Sequence, residues 1–264
     1  MMMDYFEKLD NNPYEDLYWN IPEQKRGTIN ILGGNSQSFR TEVKVAEYIV
    51  GNYPLQKVNT ILPDALKTKL PQVDNFEFLP STAAGSFADT RRLTDIVNAA
   101  DYSIIVGDLS KNAVTGKVIT SACESSDRPV LVTRDTVDLL AETGPGKTLL
   151  NDNICIMGSL AQLQKVLRAV YYPKILILSQ SLMQVAEVLH KFTLSYPVNI
   201  VTLHNGQIMV AKNGIVKAVP IEKSGYSPIM LWNGELAAKI TALNIYNPHD
   251  FIAATIAATY HVKM

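Results

Sequence analysis

The chain has 264 residues, which is long enough for one large α/β domain to bury a sizeable core. Its 24 Lys and Arg side chains are balanced by 25 Asp and Glu side chains, so neither a nucleic-acid partner nor an acidic tail is indicated. Apolar runs such as 175–178 are far shorter than the roughly 20 residues of a membrane span. The start of the chain lacks a signal-peptide pattern, so we expect a cytoplasmic protein with no membrane contact.

Five short apolar runs, rich in β-branched residues, predict buried strands. They lie at 28–34, 57–63, 101–108, 128–135 and 153–159. Segments with apolar residues at helical spacing lie between and after them, at 41–53, 110–126, 160–170 and 181–192. Residues 198–219 indicate a strand, a turn and a strand, with Asn-Gly hairpin signals. Two C-terminal helices follow and are separated at Asn247-Pro248.

Strands that alternate with helices predict an α/β fold, with a mostly parallel sheet covered by helices on both faces. Ligands of such sheets bind at the carboxyl ends of the strands, so the residues that directly follow each strand are the candidate site. We take residues 1–26 as an N-terminal arm and residues 27–264 as one domain. Tyr18 and Trp19 are expected to anchor the arm.

The segment 141–148, AETGPGKT, fits a relaxed phosphate-binding loop pattern. A working loop of that kind needs a strand before it and a long helix after it, so that backbone N–H groups are directed at the phosphate. A helical segment precedes this one and the short run LLNDN follows it, so we interpret 141–148 as a solvent loop. The cysteines, Cys123 and Cys155, lie in apolar runs and are expected to be buried thiols, and no His, Cys and Asp cluster has metal-ligand spacing.

The residues after the strands form an ordered series of motifs. Gly33-Gly34-Asn35 is similar to a "GGS" motif, 104–110 (IIVGDLS) to "GPGLG", and 129–140 (PVLVTRDTVDLL) to "PVVLDADALNLL", with Asp135 on its second aspartate. Residues 231–243 (LWNGELAAKITAL) are similar to "GGTGDVLAGIIAAL". In order and spacing, from about Gly27 to Val262, the chain resembles the ADP/ATP-dependent NAD(P)H-hydrate dehydratases of the ribokinase-like superfamily.

This resemblance implies a ribokinase-like fold and a reaction in which ADP or ATP, with Mg, phosphorylates hydrated NADH or NADPH before phosphate leaves. It places a catalytic base at Glu235, nucleotide and phosphate contacts at Asn233, Gly234, His204 and Asn205, and substrate contacts at Gly34, Asn35, Gly107, Asp108, Asp135 and Ser159. The chemistry requires an anion hole at a helix N-terminus and a carboxylate beside it that accepts the hydroxyl proton.

Several positions depart from the family pattern. Glu235 is one methylene longer than the family aspartate, and a misplacement of ~1 Å can lower a rate ~10²-fold. His204-Asn205 replaces a Lys-Gly pair, so the fixed positive charge is lost. Asp108 and Ser110 replace glycines, Ser159 replaces a histidine, and Thr41-Glu42 or Arg40-Thr41 replaces a small pair where the nicotinamide would pass. Trp232 replaces a small residue at the mouth of the anion hole.

These departures favour a divergent hydrate-dehydratase-like protein with an eroded site, which acts as a pseudoenzyme or an assembly subunit. The alternatives are an active dehydratase with Glu235 as its base and a small-molecule kinase of the same superfamily. The residues also have purely structural explanations: Glu235 complements a helix dipole, Asp108 caps a helix and Asp135 begins one. The resemblance implies a homo-oligomer, a dimer or a tetramer, and we expect the aromatic arm, Tyr5 to Trp19, to lie at or near the contact because it needs a surface for burial.

Overall fold

The computed structural model describes residues 4–70, 74–221 and 233–260. The strands are β1 Phe6–Lys8, β2 Thr28–Gly33, β3 Lys57–Pro63, β4 Phe76–Leu79, β5 Tyr102–Gly107, β6 Val130–Thr133, β7 Ile154–Met157, β8 Asn199–His204, β9 Gln207–Lys212 and β10 Ile215–Pro220. The helices are α1 Arg40–Asn52, α2 Thr90–Asn98, α3 Ala113–Glu124, α4 Asp135–Thr143, α5 Leu160–Ala169, α6 Leu182–Ser195, α7 Glu235–Tyr246 and α8 Phe251–Tyr260.

The ten strands within the described residues form one sheet, in the order β1-β10-β9-β8-β7-β6-β5-β2-β3-β4. Only β9 runs antiparallel to its neighbours, and the other pairs are parallel. One face of the sheet packs against α2 to α6, and the other face packs against α1, α7 and α8. The predicted α/β fold, mostly parallel and covered on both faces, is therefore confirmed. No helix within the described ranges combines the length and the apolar character that crossing a membrane requires.

The five predicted strands in the first part of the chain and the helices between and after them are present. The interpretation of 198–219 as two strands is wrong, because this segment forms the three strands β8, β9 and β10. Each Asn-Gly pair makes its own tight turn: Asn205-Gly206 and Asn213-Gly214 have positive φ at both residues, as type I′ hairpin turns require. Residues 144–147 connect α4 to one 3₁₀ turn, Thr148–Leu150, so the phosphate-loop pattern has neither the strand nor the helix it needs.

The N-terminal arm packs on its own chain. β1 pairs in parallel with β10, and the 3₁₀ helix Glu15–Asn20 lies against α8. The Tyr18 hydroxyl donates a 2.6 Å hydrogen bond to the carbonyl of Ala257 in α8, which confirms Tyr18 as an anchor. The expectation for Trp19 is wrong, because its side chain is 89% exposed. The arm therefore finds a surface for burial within one chain.

Candidate functional site

The candidate site lies between β2 and β5, where the strand order of the sheet reverses. β3 and β4 extend the sheet on one side of β2, and β5 to β9 extend it on the other. At this edge the N–H of Gly34 donates to the carbonyl of Gly107 over 2.9 Å. The Asn35 side-chain amide donates to the carbonyl of Asp108 over 2.6 Å. Four predicted substrate-binding residues thus meet at the position where open α/β sheets bind ligands.

Asp135 holds the loop that follows β5. Its carboxylate oxygens accept hydrogen bonds from the N–H groups of Asp108, at 2.9 Å, and Leu109, at 3.1 Å. Gly107 has φ +125°, and a Cβ there would overlap the Asp135 carboxylate, so only glycine fits. Burial raises the pKa of Asp135, and the hydrogen bond from the Asp108 N–H opposes that shift. Asp135 is also the first residue of α4, as we expected if its role is purely structural.

The structural explanation for Asp108 is wrong, because Asn112, not Asp108, caps α3. Asp108 has φ 53°, and its side chain belongs to a cluster that we call the Arg134 latch, made of Thr41, Asp108 and Arg134. The Arg134 guanidinium donates to Asp108 Oδ1 at 2.9 Å and to Thr41 Oγ1 at 2.6 Å. The Thr41 hydroxyl in turn donates to Asp108 Oδ2 at 3.0 Å. The latch joins the N-terminal turn of α1 to the carboxyl ends of β5 and β6.

The backbone of Arg134 is strained. It has φ 58° and ψ −136°, a conformation that is nearly restricted to glycine and costs a larger residue about 1–3 kcal/mol. The latch and the capping box of α5 hold this conformation in place. In that box Ser159 caps α5, and its partner Gln162 donates to the Arg134 carbonyl at 2.6 Å. Such strain is concentrated at functional sites in proteins, and here it directs the guanidinium toward Thr41 and Asp108.

Glu42 lies directly behind the latch and is fully buried. Neither of its carboxylate oxygens has a hydrogen-bond partner. Burial raises the pKa of Glu42 well above its usual range, and the nearby Asp108 raises it further. A Cβ at Gly33 would overlap the Glu42 carboxylate, so Glu42 fills the space that this glycine leaves at the end of β2. The protonated form of the side chain is therefore favoured over the charged form. Glu42 also belongs to one of the two residue pairs that the resemblance places where the nicotinamide would pass.

The N-terminus of α7 lies beside the latch. Gly234 has φ +85°, and a Cβ there would overlap Val45 and lie 3.8 Å from Thr41. The Asn233 side chain accepts a 3.0 Å hydrogen bond from the N–H of Glu235, so one donor of the predicted anion hole already has a partner. Asn233 is exposed, and Trp232 lies outside the described residues.

Glu235 has two partners among the surrounding side chains. Its carboxylate lies 3.7 Å from the ammonium of Lys239, which is almost fully buried one helical turn later. It also forms a hydrogen bond with the hydroxyl of Tyr48 on α1, and burial together with the Glu235 charge raises the pKa of Tyr48 to about 12. The carboxylate that the resemblance predicts as the catalytic base is therefore held by a cation and by a hydroxyl that remains protonated.

His204 and Asn205 lie apart from this cluster. The His204 ring is buried and its Nε2 lies 2.7 Å from the carbonyl of Gln180, to which it must donate because a carbonyl only accepts. The Asn205 amide donates to the same carbonyl at 3.3 Å. Both predicted nucleotide contacts thus bind the segment between α5 and α6.

A small cavity of about 90 Å³ lies between the Arg134 latch and the pair formed by His204 and Asn205. It is lined by Thr133, Met157, Gly158, Ser159, Val201, Thr202 and Leu203. Its volume is below the roughly 300–1,000 Å³ of ordinary ligand pockets, so it has no room for a nucleotide in this conformation. No group of His, Cys, Asp and Glu within residues 4–70, 74–221 and 233–260 is arranged to hold a metal ion.

Arg134 and Glu42 were assigned no binding or catalytic role from the sequence. Arg134 was noted only as one of the residues that directly follow a predicted strand, and Glu42 only as part of a pair where the nicotinamide would pass. Glu42 shares the buried face of α1 with Val45, Ala46 and Ile49, and a carboxylate on an otherwise apolar helical face is a signal for a special role.

The fold is that of ribokinase-like proteins. A ribokinase-like superfamily protein of Enterococcus faecalis V583 is similar, with a TM-score of 0.66 and 13% identity over 98% of this chain and 87% of that one. The ADP/ATP-dependent NAD(P)H-hydrate dehydratase of Bacillus subtilis was co-crystallised with ATP/Mg²⁺ and soaked with CoA. It has a TM-score of 0.58 and 13% identity, over 95% of this chain and 87% of the dehydratase. A hydroxyethylthiazole kinase of Pyrococcus horikoshii has a TM-score of 0.58 and 11% identity, over 93% of this chain and 80% of the kinase. No family model and no curated protein matches the chain.

Proposed function

We propose that this chain is a hydrate-dehydratase-like member of the ribokinase-like fold whose own side chains close the nucleotide and substrate site. The observation that carries the proposal is the Arg134 latch: one guanidinium, held by Asp108 and Thr41, lies across the strand ends where a substrate would bind. Glu42 fills the space behind it, and the cavity of about 90 Å³ lined by Thr133 and Ser159 is too small for a nucleotide.

The nucleotide contacts support the same conclusion. Phosphate binding at a helix N-terminus depends on free N–H groups and on nearby positive charge. At α7 the N–H of Glu235 is already bonded to Asn233, and the Lys239 ammonium is paired with Glu235 itself. At β8 the His204 ring donates to the Gln180 carbonyl at 2.7 Å, so the residue that replaces the family lysine is already bonded within the chain. The protein would then act as a pseudoenzyme or as a subunit of an assembly.

The second candidate is an active ADP/ATP-dependent NAD(P)H-hydrate dehydratase with Glu235 as general base. One observation favours it: a carboxylate in the first turn of α7 directly follows a glycine of positive φ, an arrangement that suits a base beside an anion hole. In that case the Arg134 latch would have to open before substrate binds.

A single assay separates the two candidates. The purified protein is mixed with hydrated NADH or NADPH and with ATP or ADP and Mg²⁺, and the recovery of dihydronicotinamide absorbance is followed. The Bacillus subtilis dehydratase is the positive control. We expect no turnover by the folded protein. Turnover in the wild type that is lost in Glu235→Gln, whose amide has nearly the same shape but cannot accept the proton, would reject the closed-site proposal in favour of the active enzyme.

A further inference from the structure

A larger cavity lies at the other edge of the sheet, where the parallel strands begin. Its volume is about 560 Å³, within the roughly 300–1,000 Å³ of ordinary ligand pockets. The parallel strands β2, β5, β6, β7 and β8 begin beside it, and the antiparallel β9 ends there. The residues at these strand ends that line the cavity are Gly27, Asp101, Pro129, Asn153, Asn199 and Lys212. Six strand ends at a spacing of about 4.8 Å extend over roughly 24 Å, so the cavity is elongated, and we call it the amino-end cleft.

Cations without an anionic partner lie along the amino-end cleft. None of the ion pairs among the described residues includes Arg26, Arg128 or Lys212, which all line the cleft. Arg26 and Arg128 are exposed, but Lys212 is half-buried, and its ammonium lies 5.5 Å from the centre of the Phe251 ring. The charge of Lys212 also opposes the rise that burial causes in the pKa of Cys155, so this charge lies close to the core. Because a partly buried charge is favoured by a partner of opposite sign, the cleft is suited to an anion.

Hydrogen-bond acceptors lie at the strand ends between these cations. Asn199 is 3% exposed, and its Nδ2 donates to the carbonyls of Asp152, at 2.8 Å, and Ile154, at 3.1 Å. These bonds fix the amide, while its Oδ1 has no hydrogen-bond partner. The carboxylates of Asp101 and Asp152 also line the cleft, and Asp101 Oδ2 accepts from the N–H of Thr28 at 2.9 Å. A buried acceptor without a partner calls for an explanation, and a bound molecule with hydroxyl groups supplies the missing donor.

The lining of the amino-end cleft indicates the chemistry of a ligand. A phosphate monoester carries about 1.5–2 negative charges at neutral pH, and Lys and Arg bind it through charge-assisted hydrogen bonds. Carboxylate and amide oxygens accept hydrogen bonds from hydroxyl groups. Burial raises the pKa of Tyr102 well above its usual range, so its hydroxyl stays protonated and is a further donor beside the cleft. Phe251 and Pro248 add apolar surface for the C–H groups of a ligand.

We propose that the amino-end cleft binds a phosphorylated sugar. Lys212 and Arg128 hold the phosphate, and Asn199 Oδ1 and the Asp101 carboxylate accept hydrogen bonds from the hydroxyl groups. This site is distinct from the Arg134 latch, because the latch lies at the carboxyl ends of β5 and β6 and the cleft lies at their amino ends. The proposal therefore does not depend on whether the site at the latch is closed.

Isothermal titration calorimetry of the full chain with glucose 6-phosphate and trehalose 6-phosphate tests the proposal. We expect both probes to bind, and trehalose 6-phosphate to bind more tightly, because its second ring extends toward Asp101. Lys212→Met keeps the aliphatic part of the side chain but removes its charge, and should weaken binding by on the order of 10-fold or more. Arg128→Gln should have a similar effect. Arg168→Gln is the matched control, since it removes another exposed arginine, on α5, and should leave the affinity unchanged.

Two further titrations identify the group that is recognised and the place where it binds. Inorganic phosphate, which has the charge but no sugar hydroxyls, should bind roughly 10-fold more weakly than the sugar phosphates. Arg134→Gln removes the guanidinium of the latch and should leave the affinity for the sugar phosphates unchanged. Circular dichroism checks that each variant is folded.

No binding of either sugar phosphate at millimolar concentration would overturn the proposal. Equal affinity for inorganic phosphate would overturn it as well, because the cleft would then recognise charge alone. Binding that is weakened by Arg134→Gln but not by Lys212→Met would place the phosphate beside the latch and not in the amino-end cleft. Loss of affinity in Lys212→Met and Arg128→Gln, with wild-type affinity in Arg168→Gln and Arg134→Gln, supports the proposal.

Discussion

The environment of Glu42 determines its charge. The carboxyl is fully buried without a hydrogen-bond partner, and the charges of Asp108 and Asp135 lie nearby, so ionisation is disfavoured and the pKa of Glu42 is well above its usual range. The folded protein thus holds this proton more tightly than the unfolded chain does. Stability from this group is fully present below the unfolded pKa, about 4.3, and is lost as pH rises through the window between the unfolded and folded values.

Glu42→Gln should therefore reduce the pH dependence of stability. We expect the wild type to lose free energy of unfolding, relative to Glu42→Gln, as pH is raised from about 4.5 toward neutrality. The measurement is urea unfolding at a series of pH values. Glu47→Gln, an exposed glutamate on the same helix, is the control and should run parallel to the wild type. Parallel curves for Glu42→Gln and the wild type would show that Glu42 is not neutral in the folded protein.

The Arg134 latch leads to a second prediction about individual residues. Arg134 and Asp108 are partly buried, with side chains 23% and 14% exposed, so removal of one partner leaves a charge with little solvent. We expect Arg134→Gln to lower the free energy of unfolding by on the order of 2 kcal/mol, and Asp108→Asn with Arg134→Gln to recover roughly half of that loss. Denaturant unfolding of the two single variants and the double variant measures the coupling. Strictly additive effects would mean that the latch holds no coupling energy.

At this site, the sequence predicts where the residues lie better than it predicts which side chains contact each other. The pattern of strands placed Asn35, Asp108 and Asp135 after their strands, because carboxyl ends of parallel strands share one edge. Which side chains then pair depends on backbone conformation: the positive φ of Asp108 and Arg134 orients the latch. Asp adopts positive φ more often than most residues, but an arginine gives no indication of such a conformation in the sequence. His204 illustrates the same limit, since its partner Gln180 comes from a connection with no regular pattern.

The arm shows how an element with little regular structure docks. β1 has only three residues, and its position depends on parallel pairing with β10, more than 200 residues later. No periodicity within the arm predicts such pairing, and β4 was missed for the same reason, since it is a four-residue edge strand. α2 did carry signals that could have identified it: Asp89 caps its N-terminus, and Leu93, Ile96 and Val97 share its buried face.

Substitutions at two neighbouring residues test how the arm is held. Tyr18→Phe removes the donor to the Ala257 carbonyl and should lower the free energy of unfolding by about 1 kcal/mol. In a chain of about this size, that corresponds to roughly 2–4 °C in melting temperature. Trp19→Ala should change the melting temperature by less than this, because the side chain is 89% exposed. The opposite order of effects, measured by calorimetry, would show that Trp19 and not Tyr18 anchors the arm.

At the scale of the whole molecule, the fold and the site lead to different conclusions. The ten-stranded sheet and its layers of helices are those of ribokinase-like proteins, some of which bind nucleotides, as the Bacillus subtilis dehydratase with ATP/Mg²⁺ does. The site at the switch point is instead occupied by the side chains of Thr41, Asp108 and Arg134, with Glu42 behind them. We therefore expect that the fold is retained while nucleotide binding is lost.

The most direct test is the melting temperature of the wild type with and without ATP-Mg or ADP at millimolar concentration. A ligand at ~100 times its dissociation constant adds ~2.7 kcal/mol to the stability of the folded state. At about 2–4 °C per kcal/mol this would raise the melting temperature by roughly 5–10 °C. We expect a shift near zero for this protein and a stabilised Bacillus subtilis dehydratase under the same conditions. A shift of several degrees in this protein would contradict the closed-site proposal and show that the site still opens to nucleotide.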